Sequence, residues 1–76
     1  MKAVIERPKP TAHDKKILTF IQKHIEETGW APTVREIGKA VGLSSTSTVQ
    51  SRLRRLEMQG WIKRGENTAR AIQLIP

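Results

Sequence analysis

Short side chains that form hydrogen bonds, and arginines with a fixed positive charge, are concentrated in one stretch of this 76-residue chain. Hydroxyls of this size approach base edges and phosphate oxygens closely, a glutamine amide can pair with adenine, and guanidinium groups pair with phosphate or guanine. The stretch therefore offers recognition of an anionic, hydrogen-bonding partner. Its members are Ser44, Ser45, Thr46, Ser47, Thr48, Gln50, Ser51, Arg52, Arg54 and Arg55.

A helix cap explains part of this pattern. We expect Ser44 or Ser45 to accept a hydrogen bond from the first turn of a following helix. Five hydroxyl residues in a row exceed what one cap needs. The arginines could form only a solvated face, but three within four residues, on a helix that also presents Ser47 and Gln50, favour contact with phosphate or guanine.

The helix that carries these residues is indicated by Val49, Leu53 and Leu56, which recur at i, i+4 and i+7. Gly60 is expected to end it. A spacing of 100° per residue places Thr48 and Arg52 on the flanks of this helix. It turns a polar set away from the apolar face, namely Ser47, Gln50, Ser51, Arg54 and Arg55.

A second helix is predicted just before it. Thr33 and Glu36 form a capping box at its start, and Gly42 stops it, so that Leu43 can fold back onto the core. We expect its buried stripe to consist of Val34, Ile37, Ala40 and Val41. Two capped helices joined by a tight glycine turn are typical of a helix-turn-helix, in which the second helix enters the DNA major groove.

The N-terminal part is predicted to be a flexible arm followed by a first helix. Pro8 and Pro10 predict a flexible arm over residues 1–10, and Thr11 with Asp14 forms a capping-box-like helix start. The apolar face of that helix carries Ile17, Leu18, Ile21 and Ile25, and Gly29 ends it. Trp30 and Trp61 are interpreted as core or core-edge residues.

Two short strands are predicted after the third helix, at positions 61–64 and 71–75, joined by a turn that contains Gly65 and Asn67. The predicted fold class is α+β, mostly α: a winged helix-turn-helix of three helices plus a C-terminal two-stranded β-hairpin wing. The domain is expected to span residues 11–76.

Composition limits the function further. The net charge is +7, and residues 31–76 hold eight of the 14 basic side chains but three of the seven acidic ones. This field attracts polyanions, although an anionic membrane or an acidic protein would also respond to it. No cysteine is present, and His13 and His24 lack companions at metal-ligand spacing, so no metal site is expected. Without a membrane span or signal peptide, the chain is expected to be soluble and cytoplasmic.

Two further patterns lie between positions 29 and 62. The first is a set of spaced residues, namely Gly29, Pro32, Thr33, Glu36, Ile37, Gly38, Val41, Gly42, Leu43, Ser45, Val49, Leu53, Leu56, Gly60 and Ile62. The second joins the run at positions 34–38 to the run at positions 45–49. The first pattern resembles the N-terminal DNA-binding domain of the LexA repressor family of the bacterial SOS response, and the second resembles more closely its Gram-positive branch. The similarity begins near Thr11 and continues to Ile75.

The resemblance implies sequence-specific binding to an inverted-repeat operator in double-stranded DNA, with a second copy possible on the same site, in the nucleoid of a bacterium. The residues expected near base edges are Ser47, Thr48, Gln50 and Ser51. Those expected at the DNA backbone are Ser44, Ser45, Arg52, Arg54, Arg55, Lys63, Arg64 and Arg70.

Two departures accompany the resemblance. Ala31 stands where the family usually has a second proline, and the family's self-cleaving Ser-Lys peptidase domain has no counterpart in this sequence. We expect no catalytic residues, because the sequence also contains no histidine–carboxylate pair, nucleophile elbow or phosphate loop. No cofactor and no small-molecule ligand are expected. Two other readings stay open: a winged-helix module that binds a protein, which the arginine density disfavours, and an RNA-binding winged helix, which the scarcity of aromatic residues disfavours.

Overall fold

A computed structural model describes residues 8–65 and 72–75. The predicted fold is confirmed over this part of the chain as three helices followed by a two-stranded antiparallel sheet. Residues 1–7 of the predicted arm, most of the predicted hairpin turn with Asn67 and Arg70, and the first residue of the second predicted strand lie outside the described residues. The elements are α1 (Ala12–Thr28), α2 (Val34–Val41), α3 (Thr46–Met58), β1 (Ile62–Arg64) and β2 (Ile72–Leu74).

The first helix begins and ends where local chemistry places it. The Thr11 hydroxyl accepts from the Asp14 amide at 3.1 Å, which satisfies one donor that the helix leaves open. At the other end Gly29 adopts φ 87°, a left-handed conformation that favours glycine, and its amide donates to the carbonyl of Ile25. Both predicted boundaries of α1 are confirmed.

The second helix carries the full predicted capping box. The Glu36 amide donates to the Thr33 hydroxyl at 3.1 Å, and the Thr33 amide donates to a Glu36 carboxylate oxygen at 2.8 Å. Such reciprocal bonds satisfy two otherwise unpaired donors, so a helix of eight residues has a defined start.

A glycine turn leads from the third helix into the hairpin. The Gly60 amide donates to the Glu57 carbonyl at 3.1 Å and the Trp61 amide to the Leu56 carbonyl at 3.0 Å, the paired bonds of a Schellman motif. The chain then enters β1, which pairs with β2 in the register Ile62 with Leu74, Lys63 with Gln73 and Arg64 with Ile72.

The core lies where the three helices and the sheet meet. Each element supplies at least one side chain with little or no exposure, because each has one apolar face and can bury it only against the others. Leu43 and Trp61 pack against this core from its edge, as predicted. The buried hydrophobic residues are Ile17, Ile21, Ala31, Ile37, Val49, Leu53, Leu56, Ile62 and Ile72.

Two predictions about burial are wrong. Ala40 was expected in the buried stripe of α2 but is exposed, because the packed side of this helix is centred on Ile37 and Gly38. Trp30 was expected in or beside the core, yet 65% of it is exposed. Its backbone carbonyl accepts from the His24 ring at 2.8 Å, which holds the bridge between α1 and α2 without burying the indole.

No helix among the described residues is both long and apolar enough to cross a membrane.

Candidate nucleic-acid interface

The third helix separates its apolar and polar sides in the way that its sequence predicts. Val49, Leu53 and Leu56 are fully buried. The opposite side presents hydrogen-bonding and cationic groups, and these side chains are exposed to solvent. The helix thus offers a continuous polar face formed by Ser47, Gln50, Ser51 and Arg54, with Thr48 exposed beside it.

The start of α3 is a cluster of hydroxyls around one cap. Ser45 is the N-cap, and its hydroxyl accepts from the Thr48 amide at a long 3.4 Å. Ser44 and Thr46 are exposed on either side of it. The first turn carries no acidic side chain, so no carboxylate of that turn competes with an external anion for the positive end of the helix dipole. This end of the helix suits a phosphate oxygen.

The orientation of α3 is set by its contact with α2. Gly38 is buried in this contact, and its carbonyl accepts from the Leu43 amide at 2.8 Å. A side chain at position 38 would meet both the Leu43 backbone and the Val49 side chain. The absence of a β-carbon therefore lets the turn close tightly and brings the start of α3 against α2.

An ion pair that the sequence analysis did not predict ties α3 to α1. Asp14 is fully buried, and its two carboxylate oxygens accept from one Arg55 terminal nitrogen at 3.1 and 2.9 Å. A terminal nitrogen of Arg52 lies 3.6 Å from the same carboxylate. The signal was present in the spacing, because Asp14 precedes Ile17 by three residues and Ile21 by seven, on the apolar face of α1.

The hairpin adds further cations. Lys63 is exposed and Arg64 is half-buried, and together with Gly65 and Gln73 they line a surface depression of about 280 Å³. Because α3 packs against β1, these residues belong to the element that adjoins the polar helix. Arg70, the remaining hairpin cation in the predicted set, lies outside the described residues.

The arrangement offers hydrogen bonding and charge rather than a site for a metal ion. Among residues 8–65 and 72–75 no three His, Cys, Asp or Glu side chains gather as metal ligands would. His24 interacts with the Trp30 carbonyl and lies 3.8 Å from Glu36, at the bridge between α1 and α2. What the described surface can do chemically is therefore to bind an anionic, hydrogen-bonding partner along α3.

The sequence of this chain is similar to those of known repressors. The chain is 49% identical over 65 residues to the LexA repressor of Caldicellulosiruptor saccharolyticus, a match that covers 86% of this chain and 32% of that protein. It is 48% identical over 67 residues to the LexA repressors of Bacillus mycoides and Bacillus thuringiensis, covering 88% of this chain and 33% and 32% of those proteins.

The chain thus spans about a third of the length of the curated relatives it matches. The family model described as the LexA DNA binding domain matches residues 8–71, which include all three helices and the first strand. The peptidase domain expected of full-length family members is not part of this match. From the helix order, the capped turn before α3 and this match, the chain belongs to the LexA DNA-binding domain family.

Proposed function

We propose that this chain is the operator-reading part of a transcriptional repressor, which binds an inverted repeat in double-stranded DNA and blocks a promoter by occupying it. The observation that carries the proposal is the exposed polar face of α3, whose first turn is free of acidic side chains and whose orientation is fixed by the tight contact between Gly38 and Leu43. In a helix-turn-helix this is the helix that lies in the major groove.

Base reading falls to the side chains nearest the start and middle of α3. Hydroxyls and a glutamine amide there are short and exposed, so they can reach base edges when the helix backbone lies close to the groove floor. Gln50 carries the most directional contact, because its amide offers both a donor and an acceptor to adenine. The proposed set is Ser47, Thr48, Gln50 and Ser51.

Contacts to the DNA backbone surround this set. The serines at the start of α3 lie where phosphate oxygens meet helix amides, and the cations of α3 and the hairpin supply charge. The proposed set is Ser44, Ser45, Arg52, Arg54, Lys63, Arg64 and Arg70. It omits Arg55, which was also expected there from the sequence, because one of its terminal nitrogens donates to both oxygens of Asp14.

The biological setting follows from the relatives named LexA repressor. The proposed role is repression of genes of the SOS response to DNA damage, in the cytoplasm of a bacterium at its nucleoid. An inverted repeat requires two copies, one on each half-site. A single module of this kind buries roughly 600–1,000 Å², so we expect weak binding to one half-site and stronger binding when two copies are held together.

Selection from a random pool of duplex DNA tests the proposal. The purified domain is used to enrich binders, and the affinity of the winning sequence is measured at two salt concentrations. Recovery of an inverted repeat with a steep salt dependence supports an operator reader, because released counterions weaken binding as salt rises. Salt-dependent binding without an enriched sequence contradicts the specificity. Failure to bind duplex DNA at low salt contradicts the proposal altogether and favours a protein partner.

A matched variant shows whether α3 is the reader. Selection is repeated with Gln50→Ala, which keeps the net charge and the buried face of α3. If α3 reads the operator, the enriched sequence changes at one position of each half-site. An identical enriched sequence would move base recognition to another part of the molecule.

A further inference from the structure

The carboxylate of Asp14 is a buried negative charge, and both cations that pair with it among the described residues belong to α3, the proposed reading helix. Its side chain is 1% exposed, although it lies in the first turn of α1, 41 positions before Arg55 in the chain. One Arg55 terminal nitrogen contacts both carboxylate oxygens, and an Arg52 terminal nitrogen lies 3.6 Å from one of them. The first turn of α1 is thus coupled to the C-terminal half of α3.

Burial makes this pairing obligatory. A carboxylate removed from water is costly unless cations and hydrogen bonds compensate it. The arginines are less constrained by burial, since the Arg52 side chain is 26% exposed and that of Arg55 is 46% exposed. The charge that is fixed in place is therefore that of Asp14, and the guanidinium groups are drawn toward it.

The two arginines and two predicted base-reading residues share one surface feature. Thr48, Ser51, Arg52 and Arg55 line a depression of about 230 Å³. The Arg52 Nε atom is buried there and has no hydrogen-bond partner among the described residues. The position of each guanidinium consequently decides the shape and charge of the surface beside these hydroxyls.

We infer that Asp14 is a positioning residue for DNA recognition, which holds Arg55 and Arg52 beside Thr48 and Ser51 and withholds the charge of Arg55 from DNA phosphates. This inference rests on the proposed function. Its consequence is selectivity: a guanidinium already neutralised by a carboxylate adds little to the sequence-independent attraction for DNA, while its fixed position preserves the surface that reads the operator.

The salt dependence of DNA affinity tests this inference, because a residue with a purely structural role would not change it. The slope of log affinity against log salt grows by about 0.9 for each phosphate that a cation neutralises. Asp14→Asn keeps the size of the side chain and removes its charge, which releases one arginine. We expect the slope on random duplex DNA to steepen by about 0.9, so that the variant loses about 3.5-fold more affinity than the parent between 50 and 200 mM salt.

Two further variants separate this cause from its alternatives. Asp14→Asn combined with Arg55→Gln removes both charges and is expected to restore the parent slope, because the released cation is then absent. Glu57→Gln, at an exposed position of the same helix, changes the net charge by the same amount without freeing an arginine, and its slope should stay near the parent value. Circular dichroism and urea unfolding at the assay temperature verify that each variant is folded.

The outcomes distinguish the two proposals. Three results together support the positioning role. The salt slope is steeper in Asp14→Asn, it returns to the parent value in the double variant, and Asp14→Asn has a lower ratio of operator to random-DNA affinity. Equal slopes in parent and Asp14→Asn, or a steep slope that persists in the double variant, overturn it while operator binding by the parent still stands. A parent domain that shows no salt-dependent duplex binding overturns the proposed function and the positioning role together.

Discussion

A β-carbon on Gly38 would lie 2.8 Å from the carbonyl oxygen of Leu43 and 3.2 Å from a methyl carbon of Val49. The first distance is too short for real β-carbons, and the obstacle is backbone, which cannot rotate away as a side chain does. The Leu43 amide also donates to the Gly38 carbonyl at 2.8 Å, and this hydrogen bond holds the Leu43 backbone close to Gly38. A β-carbon at position 38 therefore cannot be accommodated unless the turn between α2 and α3 shifts.

Gly38→Ala should lower the free energy of unfolding by about 1–3 kcal/mol, because the added methyl forces the backbone of the turn to shift. The gain in helix propensity, about 1 kcal/mol, opposes this effect and does not cancel it. Urea unfolding measures the change. Lys39→Ala, at an exposed neighbouring position, should stay within about 0.5 kcal/mol of the parent. A more stable Gly38→Ala would mean that the turn yields without cost.

Arg54→Ala should weaken binding to all DNA sequences alike. Arg54 is exposed on the polar face of α3 and no ion pair involving it is recorded among the described residues, so its charge is available to phosphate. Loss of one phosphate contact reduces the magnitude of the salt slope by about 0.9. Titrations of operator and random duplexes at several salt concentrations measure this. An unchanged slope would remove Arg54 from the backbone contacts.

Gln50→Ala should alter preference at one base pair of each half-site by about 1–3 kcal/mol, the range of a good bidentate contact. The salt slope should not change, because no charge is lost. Competition between operators that differ at single positions measures the preference, and Arg54→Ala serves as the contrasting case. Uniform weakening at every position would show that Gln50 supports binding without reading a base.

Trp30→Ala should change the free energy of unfolding by less than about 0.5 kcal/mol, as expected for an exposed position whose hydrogen bonds come from the backbone. Trp61→Ala should cost more than about 1 kcal/mol. This indole packs against the core and its Nε1 donates to the Pro8 carbonyl at 2.9 Å, so truncation removes both contacts. Thermal and urea unfolding of both variants measure the contrast, and equal losses would contradict it.

Helix ends and faces could be predicted because their causes are local. The Thr11 and Ser45 caps, the Thr33 and Glu36 box and the stop at Gly29 all depend on groups within four residues of one another. The apolar face of α3 follows from its period for the same reason. Polar residues of α3 could accordingly be assigned to its exposed side before any tertiary contact was known.

The site itself could be predicted in composition but not in its internal contacts. The sequence indicated which hydroxyl, amide and cationic side chains share one helix, and the structure exposes Ser47, Gln50 and Arg54 on one face. The engagement of Arg55 by Asp14 was not predicted, because Asp14 also has a sufficient local explanation as an acidic residue near a helix N-terminus.

The sequence by itself determined the order of the elements, their caps and the polar face of α3, since periodicity and capping act over a few residues. Only the tertiary structure decided how one helix is rotated against another. That rotation buries Gly38, exposes Ala40 and places Asp14 beside an arginine 41 positions away, while the bridge between α1 and α2 leaves Trp30 in solvent. Such choices depend on the packing of the whole core, where each face competes for the same buried volume.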